Sequence, residues 1–142
     1  MILLREAKQI QVRDAAQVAA VFRDLLALED AISRDTEHYY VMHLDARQTV
    51  KLVELVSIGV LNHATVHPRE TFRRAVVEGS ASIIIAHNHP SGTVKPSDDD
   101  ARVTGKMHDA GNILGIDLLD HLVFSGDKYF SYRSNSEGVM KE

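Results

Sequence analysis

An uninterrupted apolar run at residues 82–86, with isoleucine at three consecutive positions, is the pattern that most restricts the fold. A continuous run, rather than an alternating one, is typical of a strand buried on both faces. Such a strand needs covering elements on both sides of its sheet, which favours a mixed α/β fold. The run leads directly into His87, Asn88 and His89.

Three helices are expected around this strand. Residues 14–34 predict one long amphipathic helix, and residues 69–78 predict a second helix that begins after Pro68 and ends before Gly79. Residues 97–115 predict a third helix, with Ser97 as its N-cap and Gly115 near its end. The expected core-facing positions are Val18, Val21, Phe22, Leu25, Leu28 and Ile32, then Phe72, Ala75 and Val76, and finally Val103, Met107, Ala110 and Leu114.

Further strands are expected on both sides of the buried run. Residues 37–44 are rich in aromatic and branched side chains, and residues 45–48 can turn the chain into a partner strand at 49–56. Residues 117–124 and 128–132 predict a closing hairpin. With 142 residues, no repeat and no long linker, the chain is expected to form a single domain.

The composition excludes several kinds of chemistry. The sequence contains no cysteine, so a cysteine nucleophile is excluded and any zinc must be held by nitrogen and oxygen atoms. The net charge of -4 and the small size of the basic cluster at Arg69, Arg73 and Arg74 disfavour nucleic-acid binding by this chain. No signal peptide or membrane-spanning run is recognised, so we expect a cytoplasmic protein without membrane contact.

The histidines after the buried run can form a metal site. His87 and His89 lie two residues apart on an extended segment, so their side chains point the same way and can reach one ion. The turn-forming residues 90–96 return the chain to an acidic helix start, where Asp100 becomes available as a third ligand. Three protein ligands leave one tetrahedral position for water, as in catalytic zinc sites.

The same residues also have simpler explanations. A histidine pair at the end of a strand can merely bond to backbone or water. Ser97 and Asp100 also fit a capping box, in which a serine and an acid three residues later satisfy free N–H groups of a helix. Since one carboxylate seldom serves both as cap and as metal ligand, the residue pattern leaves both interpretations of Asp100 open.

A longer string decides between these alternatives by resemblance. Residues 87–90, His-Asn-His-Pro, followed by residues 96–100, Pro-Ser-Asp-Asp-Asp, resemble the His-x-His-Pro…Ser-x-x-Asp signature of the JAMM (MPN+) metalloproteases. The stretch His-Asn-His-Pro-Ser-Gly is similar to the RadC-like branch of that superfamily, as are residues 65–70 and 118–121. The resemblance implies the layered, cytidine-deaminase-like JAB/MPN fold, with a mixed central sheet flanked by about three helices.

The resemblance covers residues 37–133 and implies that they form the catalytic core. An N-terminal helical segment at residues 1–36 would precede it, and a C-terminal tail at residues 134–142 would follow. In this family the matching residues His87, His89 and Asp100 would bind one Zn²⁺ per chain. Ser97 would then donate a hydrogen bond to the developing oxyanion of the tetrahedral intermediate.

The family also uses an upstream glutamate that activates the metal-bound water. Glu37, at the start of the first predicted strand, is the residue expected in this role, and Glu54 and Glu70 are alternatives. Three more polar residues in family-like strings are expected to be structural or to orient a metal-binding histidine: His67, Asp120 and His121.

Together these patterns predict a zinc-dependent hydrolase, a metallopeptidase or isopeptidase acting on a protein or peptide, with ubiquitin-like proteins among the candidate substrates. Two other functions stay open. One is a RadC-type module linked to DNA repair, although longer RadC proteins carry a helix-hairpin-helix region and this chain has one predicted helix before Glu37. The other is an MPN scaffold without catalysis, although such scaffolds typically lack the metal ligands. The sequence does not predict the oligomeric state.

Overall fold

Seven strands form one mixed sheet in the computed structural model, which describes residues 1–5 and 10–140. The strands are β1 (Ile2–Arg5), β2 (His38–Leu44), β3 (Val50–Ile58), β4 (Ser82–Asn88), β5 (Asp117–Ser125), β6 (Lys128–Ser131) and β7 (Ser136–Val139). The helices are α1 (Ala15–Leu26), α2 (Ala31–Arg34), α3 (Pro68–Glu78) and α4 (Asp98–Leu114). The sheet order is β1-β3-β2-β4-β5-β6-β7. Strands β4 and β5 are parallel and α4 connects them, whereas the other described pairs are antiparallel.

The predicted buried strand is β4, and it lies in the middle of the sheet. It pairs with β2 on one side and with β5 on the other, and every one of its residues is buried. Ile84 and Ala86 pack into an apolar cluster that includes α1. Ile83 and Ile85 point to the other face and pack with residues of α3 and α4. Helices therefore cover both faces of β4, which confirms the α/β prediction.

The single helix predicted at residues 14–34 is wrong, because α1 ends at Leu26. Asp30 begins the separate one-turn helix α2, and its Oδ1 atom accepts a hydrogen bond from Ser33 N at 2.8 Å. An aspartate that caps a new helix cannot also continue the previous one. Leu28 and Ile32, predicted to face the core, are consequently 83% and 86% exposed.

Two further strands lie where the sequence indicated none. The N-terminal segment predicted as helical contains β1, which pairs with β3. The predicted C-terminal tail contains β7, which pairs with β6. Each strand has only four residues, and neither lies in the interior of the sheet. Strands this short at the ends of a sheet show little alternation of apolar and polar residues, so their sequences carry a weak signal.

Helices α3 and α4 lie side by side on one face of the sheet. Val76 and Leu114, predicted to face the core, are 58% and 47% exposed. Gly111 is the buried residue near the end of α4, where the chain approaches it closely. A Cβ atom at this position would lie 2.4 Å from Ile116 O and 3.4 Å from the Phe72 ring. None of the described helices is long and apolar enough to cross a membrane.

Two glycines of α4 should respond in opposite directions to the same substitution. Gly111→Ala should lower the free energy of unfolding by about 1–3 kcal/mol, because the added methyl group collides with backbone. Gly105→Ala should raise it by about 0.5–1 kcal/mol, since nothing lies within 4 Å of the added Cβ and alanine favours the helix. Urea denaturation of both variants measures the difference. Equal effects would contradict the close contact at Gly111.

Candidate metal centre

The end of β4 brings two imidazole rings together. His87 lies in β4, and His89 follows one residue after the strand, where its backbone N–H still donates to Phe124 O at 2.9 Å. The extended backbone therefore continues through residue 89, and both side chains project from one face of the sheet. Their Nε2 atoms are 3.1 Å apart. This confirms the prediction that the two histidines point the same way.

Asp100 joins these rings from the first turn of α4. Its side chain is 3% exposed, with Oδ1 lying 3.2 Å from His87 Nε2 and Oδ2 lying 3.1 Å from His89 Nε2. Oδ2 also accepts from Ser97 N at 2.9 Å, while Ser97 Oγ accepts from Asp100 N at 3.0 Å, which completes a capping box. The carboxylate thus caps the helix through one oxygen and directs the other toward His87. The two interpretations of Asp100 are compatible.

A chain of hydrogen bonds fixes the proton on His87. The Thr104 hydroxyl donates to Asp100 O at 2.9 Å, and a hydroxyl has only one proton to give. His121 Nδ1, 2.6 Å from this hydroxyl oxygen, must then be the donor, which leaves His121 Nε2 as an acceptor. That atom lies 2.9 Å from His87 Nδ1, which therefore carries the proton. His87 Nε2, which faces Asp100, is then the atom left to hold either a second proton or a metal ion.

His89 is oriented in the same way by a backbone carbonyl. Its Nδ1 atom is 3.0 Å from Thr93 O, which can only accept, so Nδ1 donates and Nε2 is free to bind. The two Nε2 atoms and the Asp100 oxygens are separated by 3.1–3.2 Å. Ligands about 2.0–2.1 Å from a tetrahedral zinc ion lie about 3.3 Å from one another, so the donor set matches that geometry closely.

The charges around this point also favour a cation. Burial alone would raise the pKa of Asp100, but hydrogen bonds with His87 and His89 outweigh burial and hold it well below the usual value. The hydrogen bond with Asp100 raises the pKa of His89. Burial, and the neighbouring His87, lower the pKa of His121 and keep its ring neutral. A proton and a metal ion would therefore compete for one space beside an ionised carboxylate.

Glu37 lies at the rim of the same centre. One of its carboxylate oxygens and a ring nitrogen from each of His87 and His89 all lie within 4.8 Å of one another. Its Oε1 atom accepts a hydrogen bond from Leu61 N at 3.2 Å. The carboxylate thus lies beside His87 and His89, close enough for Glu37 to hold an ion together with them or to reach a water bound to such an ion.

The two alternative glutamates lie elsewhere. Glu54 is buried in an ion-pair cluster, where its two oxygens are each 3.0 Å from a partner, His43 Nε2 and Arg74 Nε. Glu70 is exposed on the first turn of α3 and borders a cavity of about 190 Å³. Of the three glutamates named from the sequence, Glu37 is the one that lies beside His87 and His89.

The other polar residues singled out in the sequence have different placements. His121 contacts His87 directly, and its ring stacks on Tyr132 with centroids 5.0 Å apart. Asp120 accepts hydrogen bonds from Ser131 Oγ at 2.6 Å and from the backbone N–H of Arg133 at 3.0 Å, so it braces the neighbouring turn. His67 lies at the N-cap of α3 and lines the same cavity as Glu70.

Sequence reasoning missed two residues that support the centre. Thr104 orients His121, and its position one helical turn after Asp100 could have indicated that both face the same side. Asn88 lies between the two histidines on the opposite face of β4 and contacts the segment before β2. Nothing in the sequence reveals that contact, because it joins residues about 50 positions apart.

The fold and the two-histidine, one-aspartate arrangement are those of a JAB/MPN-type domain. The RadC-like JAB domain family matches residues 12–138. A UPF0758 protein of Chlorobium chlorochromatii is 36% identical over 92% of the chain, and one of Methanosarcina mazei is 38% identical over 89%. Another, from Pelodictyon phaeoclathratiforme, is 46% identical over 70% of the chain. The chain belongs to the RadC-like JAB domain family.

The chain spans only part of its relatives. It covers 68% of the Chlorobium protein, 45% of the Pelodictyon protein and 64% of the Methanosarcina protein. Their shared name, UPF0758, specifies no reaction. The comparisons therefore establish the family and the fold, and the reaction has to be argued from the geometry of the centre.

The Glu54 cluster should make stability depend on pH. Burial alone would raise the pKa of Glu54, but hydrogen bonds with His43 and Arg74 lower it below the ordinary glutamate value of 4.5. A lowered pKa stabilises the fold above pH 4.5, and this contribution is lost as the pH falls through the folded-state pKa. Glu54→Gln should therefore cost about 3 kcal/mol at pH 7 and clearly less at pH 3. Urea denaturation at both pH values tests this, and an unchanged difference would contradict it.

His121 should control metal affinity without being a ligand. His121→Leu leaves the buried Nδ1–H of His87 without an acceptor and should weaken zinc binding about 10- to 100-fold. His121→Gln can place an amide oxygen near the lost Nε2 atom and should recover part of the affinity. Competition with a chromophoric chelator measures both constants. Equal affinities for the Leu variant and the unmodified protein would rule out the hydrogen-bond chain through Thr104.

Proposed function

We propose that this domain is a zinc-dependent hydrolase that cleaves an amide bond, with His87, His89 and Asp100 as metal ligands. The observation that carries the proposal is the convergence of their donor atoms at 3.1–3.2 Å, with the Nε2 atoms of both histidines directed at the Asp100 carboxylate. A nitrogen and oxygen donor set of this kind suits Zn²⁺.

The surrounding residues suit hydrolysis. Zinc bound there would supply a Lewis acid and a bound water with a pKa near 7. In this proposal Glu37, whose carboxylate lies within 4.8 Å of ring nitrogens of His87 and His89, would accept a proton from the attacking water and pass it to the leaving amine. Ser97 Oγ receives the Asp100 N–H, so its own hydroxyl proton remains available for a developing oxyanion. Each residue therefore has one chemical task.

A peptide or isopeptide is the substrate class we propose. A cavity of about 270 Å³ lined by His89 and Pro90 borders the centre. A peptide lying across His89 would place a side chain in it. A larger cavity of about 530 Å³ lies on the α1 face, around Val18 and Leu122, and offers no ligand atoms of the centre.

The proposal predicts metal-dependent proteolysis. Protein purified without chelator should contain about one zinc per chain. Incubation with a peptide library, with new amino termini identified by mass spectrometry, should show cleavage that stops with chelator and returns with zinc. Glu37→Gln should abolish cleavage, with a loss of at least about 100-fold, while zinc stays bound.

Glu137→Gln is the matched control, because Glu137 is exposed on β7 and lines neither the metal centre nor the cavity beside His89; the activity of this variant should equal that of the unmodified protein. Absence of zinc would contradict the metal centre itself. Stoichiometric zinc without any cleavage would instead favour an MPN scaffold. Salt-sensitive binding to DNA by the same preparation, again without cleavage, would favour a module of DNA transactions.

A further inference from the structure

Asn88 makes a connection that metal binding does not require. It lies between the two histidines but points to the opposite face of β4, where its side chain is buried. Its Oδ1 atom accepts from His38 N at 2.6 Å, and its Nδ2 group donates to Thr36 O at 3.2 Å. A weaker contact of 3.5 Å reaches Arg34 O. One amide group thus binds the backbone on both sides of Glu37.

These two bonds replace a missing part of the sheet. The ladder between β2 and β4 ends at Tyr39, which pairs with His87. Beyond that pair, the Asn88 side chain itself bonds the next backbone donor and acceptor of the adjoining segment, which are His38 N and Thr36 O. On the other side of this segment, Gly59 N donates to Glu37 O at 2.8 Å. The Glu37 backbone is therefore held from two directions.

Among the residues that the structure describes, the Glu37 side chain makes one hydrogen bond, in which its Oε1 atom accepts from Leu61 N at 3.2 Å. The position of its carboxylate consequently depends on where the backbone places Cα. Because Asn88 belongs to the strand that carries His87 and His89, any shift of those rings moves the contact to residues 36–38 as well. The strand thus sets the distance between the metal ligands and the base.

We propose that Asn88 is a positioning residue that holds Glu37 in register with the metal centre. The proposal rests on the hydrolase function proposed above and adds a residue to it. Asn88 touches neither substrate nor metal and acts through the backbone of residues 36–38. An amide is required because the contact needs an acceptor and a donor on one short side chain, which aspartate and alanine cannot provide.

Two variants and one control test the role. Asn88→Ala removes both bonds, and Asn88→Asp keeps the volume and the acceptor but loses the donor. Thr71→Val is the control. It removes another buried hydrogen bond, in which Thr71 Oγ1 and Tyr39 Oη are 2.9 Å apart, and neither atom belongs to residues 36–38. Proton exchange of backbone amides, followed by NMR on the metal-free protein, should accelerate at His38 by about tenfold or more in Asn88→Ala. Exchange of the β4 amides should stay slow in all three.

The second measurement uses Co²⁺ as the metal, because its visible spectrum reports both coordination and ionisation of bound water. Asn88→Ala and Asn88→Asp should bind Co²⁺ with unchanged band intensity, since the three ligands are intact. The spectrum of each Co²⁺ protein changes with pH, and the midpoint of that change is the quantity compared. In both Asn88 variants the midpoint should move in the same direction as in Glu37→Gln, by at least about half as much, because the base is partly lost. The Thr71→Val protein should titrate as the unmodified protein does.

The outcomes separate this proposal from the one on which it rests. If the unmodified protein binds no Co²⁺, the metal centre is wrong, and the metal-directed role of Asn88 is lost with it. If Co²⁺ binds and Glu37→Gln shifts the titration while both Asn88 variants do not, the positioning role alone is overturned. Loss of Co²⁺ binding in both Asn88 variants would also overturn it, because Asn88 would then support the ligands rather than Glu37.

Discussion

The Asp100 carboxylate joins three parts of the domain that would otherwise have no reason to meet. From the start of α4 it contacts His87 and His89 at the end of β4, and it caps the first turn of α4 by accepting a hydrogen bond from Ser97 N. The helix dipole favours an anion at this helix start, and the buried position demands a positive partner for it. The placement of α4 against β4 therefore also decides the electrostatics of the centre.

The hydrogen bonds around the centre have a consistent direction. Two carbonyl oxygens, Asp100 O and Thr93 O, can only accept hydrogen bonds. Thr93 O accepts directly from Nδ1 of His89, and Asp100 O acts on Nδ1 of His87 through Thr104 and His121. Protein structures often position metal-binding histidines in this way, and the partner fixes both the ring orientation and the tautomer. The chain achieves this through one buried histidine and one backbone loop.

Much of this arrangement was readable from the sequence. The apolar run of β4 predicted the central strand, and the spacing of His87 and His89 predicted that their rings point the same way. The end of α1 was not readable, because Leu28 and Ile32 continue the helical period although Asp30 caps a new helix. The contacts of His121 and Asn88 were also beyond reach, since alternation assigns a side chain to a face of a strand but not to a partner 34 or 50 residues away.

The capping box on Asp100 has a consequence for the lifetime of the protein in a cell. Because one carboxylate serves both the first turn of α4 and the two histidine rings, occupancy of the proposed site by a metal would be thermodynamically linked to the integrity of the helix start. A cation at 100 times its dissociation constant would stabilise the folded chain by about 2.7 kcal/mol. If the proposed site holds a metal, scarcity of that metal would expose the start of α4 to proteases more often and lower the abundance of the protein.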